Sequence, residues 1–183
     1  MTALWVIIGV VVLLLLIFGG TYNRLVALRN RIDNSWSQIG VQLKRRYDLI
    51  PNLVNTVKGY AAHEKEIFEK VAEARNSAIS AKSVPDQAQA ENQITQALRQ
   101  LFAVVENYPD LKANQNFLAL QEELTATEGR IAFARQFYND TVLSYNNKVQ
   151  QFPSRIVAGM FNFTPREFFQ VEEAATGPVN VQF

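Results

Sequence analysis

An all-α fold is what this sequence predicts: an N-terminal transmembrane helix, then an antiparallel up-and-down four-helix bundle with an aromatic C-terminal segment. Three observations carry that expectation. Residues Ala3 to Phe18 form an apolar run without one charged side chain. Beyond it, apolar residues recur at intervals of three and four, the spacing of one face of a helix. No stretch joins strand-like alternation to turn signals. The expected division is an anchor over 1–21, a bundle over 22–152 and a C-terminal aromatic segment and tail over 153–183.

The anchor residues are Leu4, Trp5, Val6, Ile7, Ile8, Val10, Val11, Val12, Leu13, Leu14, Leu15, Leu16, Ile17 and Phe18. With Gly19 and Gly20 the uncharged stretch reaches roughly 27 Å as a helix, close to the thickness of the hydrocarbon layer. Thirteen of the sixteen positions from Ala3 to Phe18 are Leu, Ile, Val or Phe. Insertion is therefore favoured by about 4 to 8 kcal/mol before end effects. Trp5 and Tyr22 suit the two interfaces, where amphipathic rings collect. A cleaved signal peptide fits less well, because no Lys or Arg precedes the run and Gly19-Gly20-Thr21 is a loose match to a cleavage site.

After the anchor, Leu25, Leu28, Ile32, Trp36, Ile39 and Leu43 lie on one helical stripe. The run Lys44-Arg45-Arg46 suits a helix C-terminus, where cations face the exposed carbonyls, and Asp48 can cap a new helix with Pro51 in its first turn. The alternative is one long helix passing through Pro51 with a kink. Ile50, Leu53, Val54, Val57, Ile67, Phe68 and Val71 form a second stripe in either case. Ser83 is the expected cap of a third helix with Pro85 early in its turn, carrying Ile94, Leu98, Leu101, Phe102 and Val105 and ending near Tyr108-Pro109. The fourth opens around Asp110 to Asn116. Leu124, Ile131, Tyr138, Tyr145 and Phe152 then recur every seven residues, the coiled-coil period of left-handed bundle packing. Beyond Pro153, Phe161, Phe163, Phe168 and Phe169 are too apolar for a free tail; they are expected to clasp the chain's own bundle or, as candidate contacts, to cover a partner or a second protomer. A Gly/Pro-containing end follows from Ala174 to Phe183.

Composition limits the chemistry. A net charge of +1 does not suit nucleic acid, which calls for a clustered basic face. The chain has no cysteine, so thiolate metal sites and cysteine nucleophiles are excluded. The one histidine, His63, lacks the second ligand a zinc or di-iron site needs. Glu64 with Glu66, Glu122 with Glu123, and Glu172 with Glu173 diverge on a helix and make no acid–base pair. Phosphate-binding glycine loops and nucleophile elbows are missing. No catalytic, metal or cofactor-binding residue is expected, and no small-molecule substrate is evident.

A set of ordered segments stands out: Arg45-Arg-Tyr-Asp-Leu-Ile-Pro-Asn-Leu-Val54, Val57-Lys-Gly-Tyr60, Ala62-His-Glu64 and Tyr108-Pro-Asp-Leu-Lys-Ala-Asn114, followed by Leu120-Gln-Glu-Glu-Leu124, Thr127-Glu128, Arg130-Ile-Ala132, Ala134-Arg135, Tyr138-Asn139, Tyr145-Asn146 and Phe152-Pro153. In these segments the chain resembles the LemA family of bacterial membrane proteins. The resemblance runs from the anchor to about Phe169. It implies a short anchor before a four-helix bundle, and no established activity, cofactor or catalytic set. Some relatives carry a lipoprotein cysteine after the apolar run; this chain does not.

The expected function is a membrane-anchored, non-enzymatic scaffold or interaction protein acting by self-association or partner docking. Its expected partners are the lipid bilayer and a second copy or another membrane protein. The alternative is a membrane-surface or membrane-shaping role, with Arg24, Arg29 and Arg31 as candidate headgroup contacts. Lys44 lies about 30 Å beyond Arg24 on a continuous helix, too far to share one surface. The expected location is the bacterial inner membrane. Basic residues follow the span and none precedes it, which favours a cytoplasmic bundle, with a periplasmic or extracellular one as the alternative.

Overall fold

In the computed structural model, which describes residues 1–170, the chain is all-α, and no strand occurs among the described residues. The first helix, α1 (Thr2–Lys58), runs without interruption for 57 residues. The expected end at Lys44-Arg45-Arg46 does not occur, and the single-helix alternative holds. Pro51 sits inside α1, where it offers no amide hydrogen to the carbonyl of Tyr47 one turn earlier. The Arg75 side chain supplies the missing donor, its Nε lying 2.8 Å from Tyr47 O. A proline in mid-helix is tolerated because a neighbouring helix repairs the lost bond.

Helix α1 ends at Gly59-Tyr60, where the Tyr60 and Ala61 amides both turn back to Val57 O. The second expected stripe is therefore divided: Ile50, Leu53, Val54 and Val57 belong to α1, while Ile67, Phe68 and Val71 belong to α2 (Lys65–Ser80). The third helix, α3 (Val84–Val105), starts where expected. Ser83 Oγ accepts from the Asp86 amide at 3.2 Å, and Pro85 lies in the first turn. A single turn, α4 (Pro109–Lys112), precedes α5 (Gln115–Gln150), which Asn114 caps by accepting from the Phe117 amide at 3.1 Å.

One further helix, α6 (Ser154–Met160), was not expected from the sequence. It ends in a Schellman motif: Phe163 N donates to Ala158 O at 2.9 Å, and Asn162 N points to Gly159 O at 3.5 Å. Asn162 takes the left-handed conformation this motif requires, at φ 54°; its short polar side chain tolerates it better than most.

The chain forms two compact units, and both long helices contribute to each. The first comprises Met1–Ile39 and Ala134–Glu167. Its core is Leu25, Ile32 and Ile39 with Tyr138, Val142, Tyr145, Val149, Val157 and Phe163. The Asn146 side-chain amide grips the main chain of Arg166, donating to its carbonyl at 2.9 Å and accepting from its N–H at 2.8 Å. The Tyr138 hydroxyl donates to Glu167 O at 3.0 Å. These bonds fasten the stretch after α6 to α5. The seven-residue pattern on α5 departs from expectation at its last member: Phe152 is 81% exposed, because α5 stops at Gln150 and the helical register ends before it.

The second unit comprises Gly40–Phe133 together with, among the described residues, Phe168 to Gln170. Here α2 packs on α3 as a hairpin across the link Ala81 to Ser83. Leu43, Ile50, Leu53, Val57, Phe68, Val71, Ile94, Leu98, Leu101, Phe117 and Leu124 form its core. Burying each large apolar side chain contributes about 1.5 to 3 kcal/mol. The expected end at Ala174 to Phe183 lies outside the described residues.

Candidate functional site

Each unit holds one cluster of side chains with chemical potential. In the first unit the apolar run is a helix whose side chains from Leu4 to Ile17 lie open: Leu4, Trp5, Leu15 and Leu16 are all more than half exposed, as are most of their neighbours. Thr2–Lys58 is long and apolar enough at its N-terminal end to cross a membrane. Where the run ends, aromatic rings gather. Phe161 lies 6.1 Å from Phe18 and 4.6 Å from Tyr22, and Tyr22 lies 5.8 Å from Phe163. Arg29 is placed 5.5 Å above Phe163, and Arg31 5.2 Å from the Phe137 ring. Of the arginines expected to face lipid headgroups, Arg29 and Arg31 rest on aromatic faces, and all three, Arg24 included, are exposed. Of the C-terminal aromatics, Phe163 and Phe169 are buried within the chain, while Phe161 and Phe168 stay partly exposed.

The second unit contains a buried charge network that sequence reasoning missed. Arg46 is 2% exposed and Glu91 likewise. Arg46 Nη1 lies 2.7 Å from Glu91 Oε2, its Nη2 donates to Thr95 Oγ1 at 3.1 Å, and its Nε lies 2.8 Å from Glu128 Oε1. Tyr47 donates a short hydrogen bond to the other Glu91 oxygen. Gln87 Nε2 reaches Tyr47 Oη at 2.8 Å and Glu91 Oε1 at 3.1 Å. Burial and then the Glu91 carboxylate push the Tyr47 phenol far above its ordinary range, so at neutral pH it keeps its proton, donating to Glu91 and accepting from Gln87. Arg46, Tyr47, Gln87 and Glu91 are thus bonded to one another.

Arg46 was expected at a solvated helix end. It is buried because α1 continues, which sets it at the core position of the series Ile39, Leu43, Arg46, Ile50, Leu53, Val57. Glu91 occupies the matching place in Gln87, Glu91, Ile94, Leu98, Leu101, and Thr127 does so between Leu124 and Ile131. A charged residue at an apolar stripe position was the available signal. His63 is exposed in the turn after α1, and among the described residues no three His, Asp or Glu side chains gather as a metal site would require. The depressions on the second unit are open grooves. One of about 460 Å³ lies beside Lys58, Lys65 and Phe68; another of about 430 Å³ lies beside Tyr47, Arg75 and Gln87.

A sequence profile described as the LemA family matches residues 35–183. The chain belongs to the LemA family. The match begins within α1 beyond the apolar run and takes in all the later helices. Among relatives, Protein LemA of Metamycoplasma hominis is 29% identical over 159 residues, covering 86% of this chain and 72% of that protein. Magnetosome protein MamQ 2 of Paramagnetospirillum magneticum is 27% identical and Magnetosome protein MamQ of Magnetospirillum gryphiswaldense 25%, each covering 86% of this chain and 68% of the relative. The segments that resembled LemA proteins have identifiable roles in this fold. Arg45 to Val54 contains Arg46, Tyr47 and Pro51; Thr127-Glu128 supplies a carboxylate to Arg46; Tyr145-Asn146 supplies the amide that holds Arg166.

Proposed function

We propose that this LemA-family chain is a membrane-anchored, non-enzymatic helical scaffold that acts by self-association or by docking a partner protein. The observation that carries this reading is the continuity of α1: one helix bears the exposed apolar span and, further along, the buried stripe from Ile39 to Val57. A body tied to a bilayer meets its neighbours in two dimensions at raised effective concentration, so weak lateral contacts suffice for assembly. The bonds that tie Arg46, Tyr47, Gln87 and Glu91 to one another support a structural role for them, and none of the relatives' names given above is that of an enzyme.

The span sits in the bacterial inner membrane with the helical body in the cytoplasm, on the ground that Arg24, Arg29 and Arg31 follow it closely. A cysteine added at the C-terminus would then stay unlabelled by an impermeant reagent in intact cells; labelling would reverse the orientation. The scaffold reading is tested by extracting the protein in mild detergent and measuring particle mass. Particles of more than one chain, or a specific cross-linked partner, are the expected result. A strictly monomeric particle at high concentration, with no cross-linked partner in membranes, would overturn the reading.

A further inference from the structure

Helix α6 is apolar on both sides. Ser154, Val157 and Ala158 face inward and are buried, yet the outward face carries Ile156 at 54% and Met160 at 65% exposure. They are four residues apart and so lie on one face. Phe152, 81% exposed, precedes the helix on one side, and Phe161, 49% exposed, follows it on the other. A short helix with large apolar groups on both its buried and its water-facing side is an arrangement soluble proteins avoid unless something covers it.

The ring contacts of Phe161 indicate what covers it. Phe18 is the last residue of the uninterrupted apolar run and Tyr22 follows one turn later; Phe161 packs on both. The outward face of α6 is thus continuous with the apolar surface of α1 at the level where that helix leaves the hydrocarbon. Charge agrees with this placement. Residues 1–32 and 141–166 together hold six Lys and Arg and no Asp or Glu, with Arg155 within α6 itself and Lys148 and Arg166 flanking it in sequence. Basic side chains around an apolar face match anionic headgroups around an acyl boundary.

We propose that α6 is an interfacial membrane helix: Phe152, Ile156, Met160 and Phe161 enter the headgroup–acyl boundary of the bilayer that α1 spans, giving the protein a second contact with lipid. The inference rests on the anchoring of α1.

The absence of cysteine allows single-site labelling of the full chain. Ile156→Cys and Met160→Cys, each carrying an environment-sensitive fluorophore, are reconstituted into vesicles of phosphatidylcholine and phosphatidylglycerol containing lipid with a nitroxide near the headgroup or deep in the chain. Leu14→Cys reports the anchor. Asn30→Cys, exposed and about 18 Å beyond Phe18 on α1, reports the aqueous side. The expected result is quenching of the Ile156 and Met160 labels by the shallow nitroxide at least about threefold stronger than that of the Asn30 label, with Leu14 quenched by the deep one. Quenching at Ile156 and Met160 no stronger than at Asn30, with Leu14 still quenched, overturns the α6 proposal and leaves the anchor standing. Lack of quenching at Leu14 as well overturns both. Efficient disulfide pairing of Met160→Cys between copies, with weak lipid quenching, would assign the face to a second protomer instead.

Discussion

At the scale of single residues, the buried charge network is the most consequential feature of the second unit. Arg46 is held by two carboxylates, a hydroxyl and the dense packing of core helices. Its Coulombic gain must offset the desolvation of the ions, so the network as a whole contributes little net stability, yet removing one partner leaves an uncompensated charge. Glu91→Ala is expected to destabilise by roughly 3 kcal/mol in urea unfolding, whereas Arg46→Met with Glu91→Leu should recover most of the loss. A single variant within about 1 kcal/mol of the parent would refute the account. The phenols give an alkaline counterpart. Tyr47 is raised by burial first and then by Glu91, and Tyr138 and Tyr145 are raised by burial first. A raised phenol pKa means that the folded state keeps a proton the unfolded chain gives up. The stabilisation is therefore fully present below about pH 10, the unfolded value, and is lost above it at up to about 1.4 kcal/mol per pH unit for each phenol. Unfolding followed from pH 8 to 11 should show a flat region and then a fall; a flat profile to pH 11 would contradict the burial of these rings.

Elements depend on one another for repair. Pro51 breaks the α1 ladder at Tyr47 O, and Arg75 from α2 completes it. Arg75→Leu should cost about 1 to 2 kcal/mol, the cost of a carbonyl left without a donor. In a Pro51→Ala background, where residue 51 can donate to Tyr47 O, the same substitution should cost less. A double-mutant cycle measures the difference, and a coupling within error of zero would show that Arg75 is not what compensates for the proline. The stretch after α6 shows a related dependence: Asn146 satisfies both main-chain groups of Arg166 where no helix or strand does so.

For the molecule as a whole, the apolar part of α1 and the remainder make opposite demands on solvent. The run from Leu4 to Ile17 buries nothing within the chain, and the core begins at Leu25. Deleting residues 1–21 should therefore leave the helical signal of the remaining residues nearly intact by circular dichroism, while the full chain partitions into the detergent phase. Recovery of the full chain from the aqueous fraction without detergent would remove the membrane reading and every proposal built on it.

Periodicity and composition determined much of this protein. The apolar run, the buried stripe of α1, the Ser83 start of α3 and the core positions Leu124, Ile131, Tyr138 and Tyr145 of α5 were all legible, because helix faces and caps are written in local spacing. The membership in the LemA family was legible as well, from motifs along the chain. Only the tertiary structure decided whether Pro51 ends a helix, since the donor that rescues it comes from residue 75. It alone placed Arg46 inside, because a cation at a stripe position is buried or solvated according to whether Glu91 and Glu128, distant in sequence, arrive beside it. It alone set α6 next to Phe18, since contact between residues 18 and 161 is a property of the packed chain and no local pattern encodes it.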